Sequence, residues 1–258
     1  MRNITSISLC IIMIMVGSVS AFAVENNINS CGDGLKNEKI FNANNIDITN
    51  KEDELLLLLR ENGNINTDDL VIKKMNIKTA EKYITNVDNI NMAESDIYYI
   101  ENKKGMSVEK SILADMAVAT SGNSGENVRN GSSARVVASC VIGYEAITRN
   151  TVEYIKGTYF GGRIVSQPNS SVISSLKGTY YETGPYITIS GDSGIATEYT
   201  TSANFDVGKH TTLQKKNISR TRYFNSEVAS AAVKAKYSVS GTVNNGNQFS
   251  FDVIASAF

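Results

Sequence analysis

The sequence predicts a mostly β protein, an antiparallel β-sandwich C-terminal domain preceded by a small, partly helical N-terminal region. Apolar and polar residues alternate along several stretches after residue 133, the period of two that strands with one buried face show. Turn-forming residues separate these short stretches, as in a sandwich. The second half also holds 15 of the 20 aromatic residues. Residues 134–258 are enough for a single hydrophobic core.

The first 23 residues match a secretory signal peptide. Arg2 gives a positive start, residues 4–19 form an apolar stretch, and Ala21 and Ala23 complete an A-x-A cleavage pattern before Val24. The apolar stretch is short for about 30 Å of hydrocarbon, which argues against a transmembrane anchor. We expect a secreted protein, extracellular or cell-surface associated, that does not span a membrane once the leader is removed.

Three cysteines occur, and Cys10 leaves with the leader. Cys31 and Cys140 are then the candidates for one disulfide, since exported proteins form disulfides in oxidising compartments. Two free thiols are the alternative. Cys140 lies on the apolar face of a predicted strand, which weakens the case for a bridge.

The mature chain changes character near residue 130. Residues 24–130 contain 12 Lys and Arg against 18 Asp and Glu, whereas residues 131–258 contain 12 against 8. Residues 121–133 are rich in Gly, Ser and Asn and predict a flexible linker, because structureless loops longer than about 12 residues are uncommon inside compact domains. A long surface loop within one domain is the alternative.

The N-terminal region is predicted to be disordered at first and then mostly helical. Residues 24–50 are Asn-rich, and residues 51–120 form an acidic region, a candidate propeptide. Thr49 and Glu52 resemble a capping box before residues 53–60, which include five consecutive leucines. These leucines need a partner to be buried against. Further helices are predicted from Thr67, over 79–87 and over 107–119, and a strand over 97–100.

Two stretches of the C-terminal domain show the alternation most clearly. Even positions from Val136 to Ala146 and odd positions from Ile195 to Val207 are mostly apolar. A third pattern runs through a predicted hairpin, in which most of the apolar residues before and after the turn at 244–248 have odd numbers. Facing residues share a side of the sheet, so the turn must contain an odd number of residues, three or five. A helix over 227–237 is the alternative.

A six-residue motif occurs twice, at 155–160 and 176–181. Its aromatic residues are the candidates for a ligand platform that binds a sugar or a peptide: Tyr159, Phe160, Tyr180 and Tyr181. Similar strand segments whose aromatic rings fill the core are the alternative interpretation, and it is the one we favour.

Basic residues cluster after the second alternating stretch. The candidate basic patch consists of Lys209, Lys215, Lys216, Arg220 and Arg222. Such a patch suits an anionic cell-surface polymer or glycan. The alternative is a solvated edge strand, where lysines discourage pairing between sheets. Net charge near zero and the absence of a matching motif argue against nucleic-acid binding.

Catalysis and cofactor binding find little support in the sequence. His210 is the only histidine, and no serine lies in a G-x-S-x-G motif. Ligand spacings typical of metal sites are missing, so we expect no metal and no cofactor. Four glutamates could supply a carboxylate pair for a hydrolase, but their spacing selects no two of them: Glu145, Glu153, Glu182 and Glu198.

The sequence therefore favours a secreted, non-catalytic binding or surface-interaction module. Two other hypotheses stay open. The first is a secreted toxin or antimicrobial protein whose acidic N-terminal half is a propeptide. The second is a carboxylate-based hydrolase.

Overall fold

A computed structural model describes residues 40–42, 70–76, 80–119, 133–243 and 246–258. The described chain is nearly all antiparallel β-structure, as the sequence predicts for the C-terminal domain; the helices predicted within 67–119 are not found there. The strands are β1 (Ile40–Asn42), β2 (Leu70–Met75), β3 (Ile84–Asp88), β4 (Ile90–Lys104), β5 (Ser107–Ala119), β6 (Ser133–Arg149), β7 (Val152–Ser166), β8 (Ser171–Thr188), β9 (Ser193–Asn204), β10 (Gln214–Asn217), β11 (Arg222–Asn225), β12 (Ala232–Val243) and β13 (Asn247–Ser256).

One continuous sheet folds over to give the two layers of a sandwich. Strands β1-β2-β4-β5-β6-β7 follow one another in the first layer, and β8-β12-β13-β3 in the second. Strand β11 pairs with both β7 and β8 and so connects the layers, while β9 lies on the free edge of β8. Strands β12 and β13 pack across from β5 and β6. Apolar residues from both layers form the core between them.

The predicted face of β6 is the core face. Val136, Ala138, Cys140 and Ile142 have no exposed surface, and Tyr144 is 5% exposed. All five belong to the hydrophobic core. The period of two identified this face correctly because the strand runs straight through the middle of the first layer.

The β12–β13 hairpin confirms the inference about its turn. Val243 pairs with Asn247, so three residues separate the strands. Apolar residues of odd number then face each other, as with Val239 opposite Phe251. The helix alternative for 227–237 is excluded, since β12 begins at Ala232 and continues to Val243.

The alternation predicted for 195–207 holds for only part of that stretch. Tyr199 and Ala203 pack against the core, but Ile195 is 82% exposed and Ala196 is buried. A bulge causes the reversal. Glu182 of β8 pairs with Tyr199 of β9, and Gly184 pairs with Ala196, so two steps along β8 correspond to three steps along β9. The extra residue in β9 turns every side chain before it to the opposite face.

The helix predicted over 107–119 is wrong, because these residues form β5. Val108, Ile112 and Met116 are spaced four apart, and that spacing fits one face of a strand as well as one face of a helix. The short helix predicted over 79–87 is likewise a strand from Ile84 onward. The strand predicted at 97–100 is confirmed within β4.

The acidic half contributes strands to the same sheet as the basic half. Strand β5 pairs with β6 along its length, from Ser107 opposite Glu145 to Ala119 opposite Ser133. The leader, Cys31, the Asn-rich 24–50 apart from β1 and the leucine run lie outside the described residues. So does the predicted linker 121–133, except for its last residue, Ser133, which begins β6.

Candidate binding surface

The repeated motif does not place its aromatic rings at equivalent positions. Phe160 and Tyr180 are completely buried, and their rings stack at 6.1 Å between centroids. Tyr159 and Tyr181 are half-buried. The first aromatic of one copy, Tyr159, lies outside the core cluster, whereas its counterpart Tyr180 lies within it. The motif therefore supplies mainly core packing, as the favoured interpretation has it.

The two copies of the motif interlock through their glycines. A Cβ at Gly157 would lie 2.4 Å from the Tyr180 hydroxyl, and one at Gly178 would lie 2.9 Å from the Phe160 ring. Each copy thus covers the glycine of the other with an aromatic ring. A side chain at either glycine would collide with that ring, so the motif needs glycine there for steric reasons.

Tyr159 belongs to a polar cluster on the outer face of the first layer. Its hydroxyl donates to the carboxylate of Glu109, which also accepts from Lys215 Nζ at 2.8 Å. The Lys215 ammonium lies 4.2 Å from the centre of the Tyr159 ring. Burial, with Glu109 beside the hydroxyl, raises the pKa of Tyr159. The ring is held by these contacts rather than free for a ligand.

Arg220, another residue of the candidate patch, is bound to a buried carboxylate. Its Nε donates to Glu182 at 2.9 Å, and Glu182 is 1% exposed. The Tyr180 hydroxyl donates to the same carboxylate at 2.8 Å, and the Arg220 guanidinium stacks 4.1 Å from the Tyr199 ring. A buried pair of this kind is costly to break, since either partner alone is an unpaired charge.

The other patch residues do not line one strand. Strands β10 and β11 are separate, and residues 218–221 between them are not strand. Lys209 lies 3.9 Å from Asp206, Arg222 stacks 4.5 Å from the Tyr186 ring, and Lys216 is exposed. Two of the five cations are thus paired at 2.8 to 2.9 Å with Glu109 and Glu182. This pairing reduces the charge that the patch offers to a polyanion.

Cys140 is a free, completely buried thiol. Its Sγ lies 3.6 Å from the carbonyl oxygen of Ala235. Burial raises the pKa of Cys140 to about 12. Its proposed partner, Cys31, lies outside the described residues, and the core position of Cys140 argues against a bridge to the N-terminal tail.

The residues considered for catalysis are held in local contacts. His210 donates from Nδ1 to the carbonyl oxygen of Val207 at 2.6 Å. Glu145 pairs with Lys156 at 2.8 Å, and Glu153 accepts from Ser226. Within the described ranges no group of three or more His, Cys, Asp or Glu could hold a metal ion. Nor does any helix in this part of the chain have the length and apolar character to cross a membrane.

The end of the β8–β9 hairpin is the surface that the sequence patterns missed. The described residues include five exposed large apolar side chains, and the two most exposed lie here: Ile189 at 74% and Ile195 at 82%. Pro185 pairs with Ile195 and Ile187 with Ser193, so Pro185, Ile187 and Ile195 share one face. We call Pro185, Ile187, Ile189 and Ile195 the apolar tip. The isoleucines around Gly191 were the available signal.

The described residues form an antiparallel β-sandwich with an apolar hairpin end, and the side chains considered for catalysis are not brought together there. Comparison with protein-family models, with curated proteins and with solved structures found no match. A function for this chain must therefore be inferred from the apolar tip and the local contacts around it.

Proposed function

We propose that the protein is a non-catalytic surface-interaction module that contacts its partner through the apolar tip. The observation that carries this proposal is the exposure of Ile189 and Ile195, 74% and 82%. Both isoleucines lie at one hairpin end, and exposed apolar side chains gathered in one place typically mark an interaction site. The bulge that turns Ile195 outward supports the same conclusion, because bulges often re-aim side chains next to functional sites.

The chemistry of the tip favours a lipid surface as the partner. Aliphatic side chains can enter the region between headgroups and acyl chains, and each isoleucine fully buried there contributes about 1.5–3 kcal/mol. Arg222 of β11 pairs with Thr188, which lies between Ile187 and Ile189 of the tip, and its guanidinium stacks on the Tyr186 ring at 4.5 Å. Arginine is attracted to anionic lipid headgroups. An anionic polymer or glycan would need free cations or open aromatic faces instead.

Secretion to the extracellular space or the cell surface, after cleavage behind Ala23, is part of this proposal. The pairing of β5 with β6 weighs against the acidic half as a discarded propeptide. Its removal would take Ile112, Met116 and Val118 out of the core. It would also leave one edge of β6 without its ladder partner.

The test is sedimentation of the exported protein with lipid vesicles. Its intact mass is measured first and compared with the mass expected for a mature chain that begins at Val24. Vesicles of phosphatidylcholine and of phosphatidylcholine with phosphatidylglycerol are compared. We expect the wild type to sediment with the anionic vesicles, and Ile189→Ser with Ile195→Ser to weaken binding about tenfold or more.

Val172→Ser is the matched control, because Val172 is 64% exposed at the other end of β8. It should bind like the wild type. Equal loss in both variants would contradict a role for the tip. If the protein binds a purified anionic wall polymer or glycan and does not bind vesicles, the lipid surface is the wrong partner. The partner then belongs to the class that the basic patch predicts.

A further inference from the structure

The middle of the outer face of the first layer is apolar and buried, although it points away from the sandwich core. Six apolar side chains on β2, β4, β5 and β6 are at most 5% exposed and are not members of the core cluster: Ile72, Tyr98, Ile100, Leu113, Val137 and Val141. Register places them together, with Ile72 opposite Ile100 and Tyr98 opposite Leu113. Their neighbours along each strand, such as Ile97 and Ile112, face the core instead.

The second layer does not account for this burial. Strands β12 and β13 lie against the core face of β5 and β6, where Ile112 and Cys140 are found. Side chains of adjacent residues in a strand point to opposite faces. The outer face therefore needs a covering segment other than β12 and β13.

One end of this face carries a buried arginine that has no acidic partner within 4 Å among the described residues. Arg163 is 7% exposed, and its Nε has no hydrogen-bond partner. Ser139, opposite Arg163 in the register, is 1% exposed, and its hydroxyl is also without a partner. Glu109 is near enough to act on Arg163 electrostatically, but it is bound by Lys215 and Tyr159. A buried guanidinium is costly unless a carboxylate or phosphate pairs with it.

The chain itself provides a segment with the matching chemistry. Asp53 and Glu54 precede five leucines and Arg60. Strands β1 and β2 pair at the edge of this layer, with Asn42 opposite Val71, so residues 43–69 leave and re-enter the sheet at the same place. The ten residues from Arg60 to Leu70 can span about 33 Å. Strand β7 lies four strands from β2, about 19 Å away at the usual spacing.

We propose that residues 53–60 dock on the outer face of the first layer, with the leucines on its apolar side chains and Asp53 or Glu54 paired with Arg163. The acidic region is then an integral part of the folded protein. Its charge neutralises a cation that belongs to the basic half, and its leucines acquire the burial partner that they need.

The sign of one substitution tests the ion pair. If Arg163 is buried and unpaired, its replacement by methionine removes an unfavourable buried charge, so Arg163→Met raises the melting temperature. If Arg163 is paired as proposed, Arg163→Met lowers it by several degrees, at about 2–4 °C per kcal/mol for a domain of this size. Asp53→Asn with Glu54→Gln should lower it similarly, and should have no further effect in the Arg163→Met background. Arg149→Met, at an exposed arginine of β6, is the control and should change little.

A second measurement follows the leucines, and it exploits the absence of tryptophan from the chain. Leu57→Trp introduces a single tryptophan that can be excited selectively at the red edge, and its emission should be blue-shifted and protected from acrylamide at all protein concentrations. Water-exposed emission would overturn the docking. Protection that depends on protein concentration would mean that the leucines dock on a second copy of the chain. In the melting experiment, additive effects of the Asp53/Glu54 and Arg163 substitutions would mean that the acidic residues do not pair with Arg163. Either result would also overturn the proposal.

Discussion

The β12–β13 and β8–β9 hairpins differ in how regularly they follow the pleat. In β12–β13 the ladder continues from Lys234–Ser256 to Val243–Asn247 without a shift between the two strands. In β8–β9 the register shifts between Glu182 and Gly184. The first hairpin buries its odd-numbered apolar residues, and the second exposes Ile195 beyond the shift. A regular ladder builds the core, and an irregular one brings apolar side chains to the surface.

This difference separates a structural hairpin from a candidate functional one within the same layer. Both hairpins are attached to the sandwich, since β8 pairs directly with β12. The exposed tip should reduce the free energy of unfolding only slightly, because it lies at a hairpin end, away from the core. Substitutions should therefore affect stability within β12–β13 and binding at the exposed tip of β8–β9.

The largest effect should come from truncating the regular hairpin. Phe251 is 1% exposed and stacks on Phe249 at 6.2 Å between centroids. Phe251→Ala should lower the free energy of unfolding by about 3–5 kcal/mol, through lost burial and the cavity left behind. Ile189→Ala should change it by no more than about 0.5 kcal/mol. Urea unfolding measures both, and similar losses in the two variants would remove the distinction between the hairpins.

A smaller effect should come from the backbone at the register shift. Gly184 has φ +106°, and a Cβ there would lie 2.6 Å from Ala231 Cα. Gly184→Ala should lower the free energy of unfolding by about 2 kcal/mol or more, from strain and steric overlap together. Gly191→Ala has a similar φ, +99°, with nothing near its Cβ, and isolates the strain alone. Thermal or urea unfolding compares them, and equal losses would argue that the contact with Ala231 has no structural weight.

The smallest effect concerns an ion pair beside the tip of the irregular hairpin. Glu145 accepts from Lys156 at 2.8 Å and from Tyr223 at 3.2 Å, and Tyr223 pairs with Ile187 of β8. The hydrogen bond from Lys156 is the main cause that lowers the pKa of Glu145. A lowered carboxyl pKa stabilises the fold at neutral pH, and this contribution is lost as the pH falls through that pKa.

Glu145 is a third exposed, so solvent screening limits the contribution to about 0.5 kcal/mol. Glu145→Gln should therefore weaken the fold slightly at pH 7 and leave it unchanged at pH 3, as urea unfolding at the two values would show. An equal loss at both would mean that the charge of Glu145 does not matter. Glu198→Gln, on an exposed residue of β9, serves as the comparison.

The sequence was most informative where one period explained a whole strand. The period of two predicted the core face of β6 and a turn with an odd number of residues, which has three between Val243 and Asn247. It failed at β5, because residues spaced four apart fit a helix and a strand equally. Pairing with β4 and β6 along both edges decides between them. That choice depends on tertiary contacts that no local pattern contains.

The apolar tip was beyond the reach of the periodicity for a related reason. Ile195 begins an apparently regular alternation, and only the bulge opposite Glu182–Gly184 turns it outward. The bulge accompanies the close approach of Gly184 to Ala231, which is far away in sequence. Similarly, the candidate basic patch was a cluster in sequence whose members Lys215 and Arg220 find partners on other strands.

The interlocked glycines of the repeated motif have a consequence for the order of folding. The Tyr180 ring needs the space above Gly157, and the Phe160 ring needs the space above Gly178. Neither β7 nor β8 can therefore reach its final packing while the other is absent. The two layers should close in a single cooperative step, without a populated intermediate in which one layer is native and the other is not.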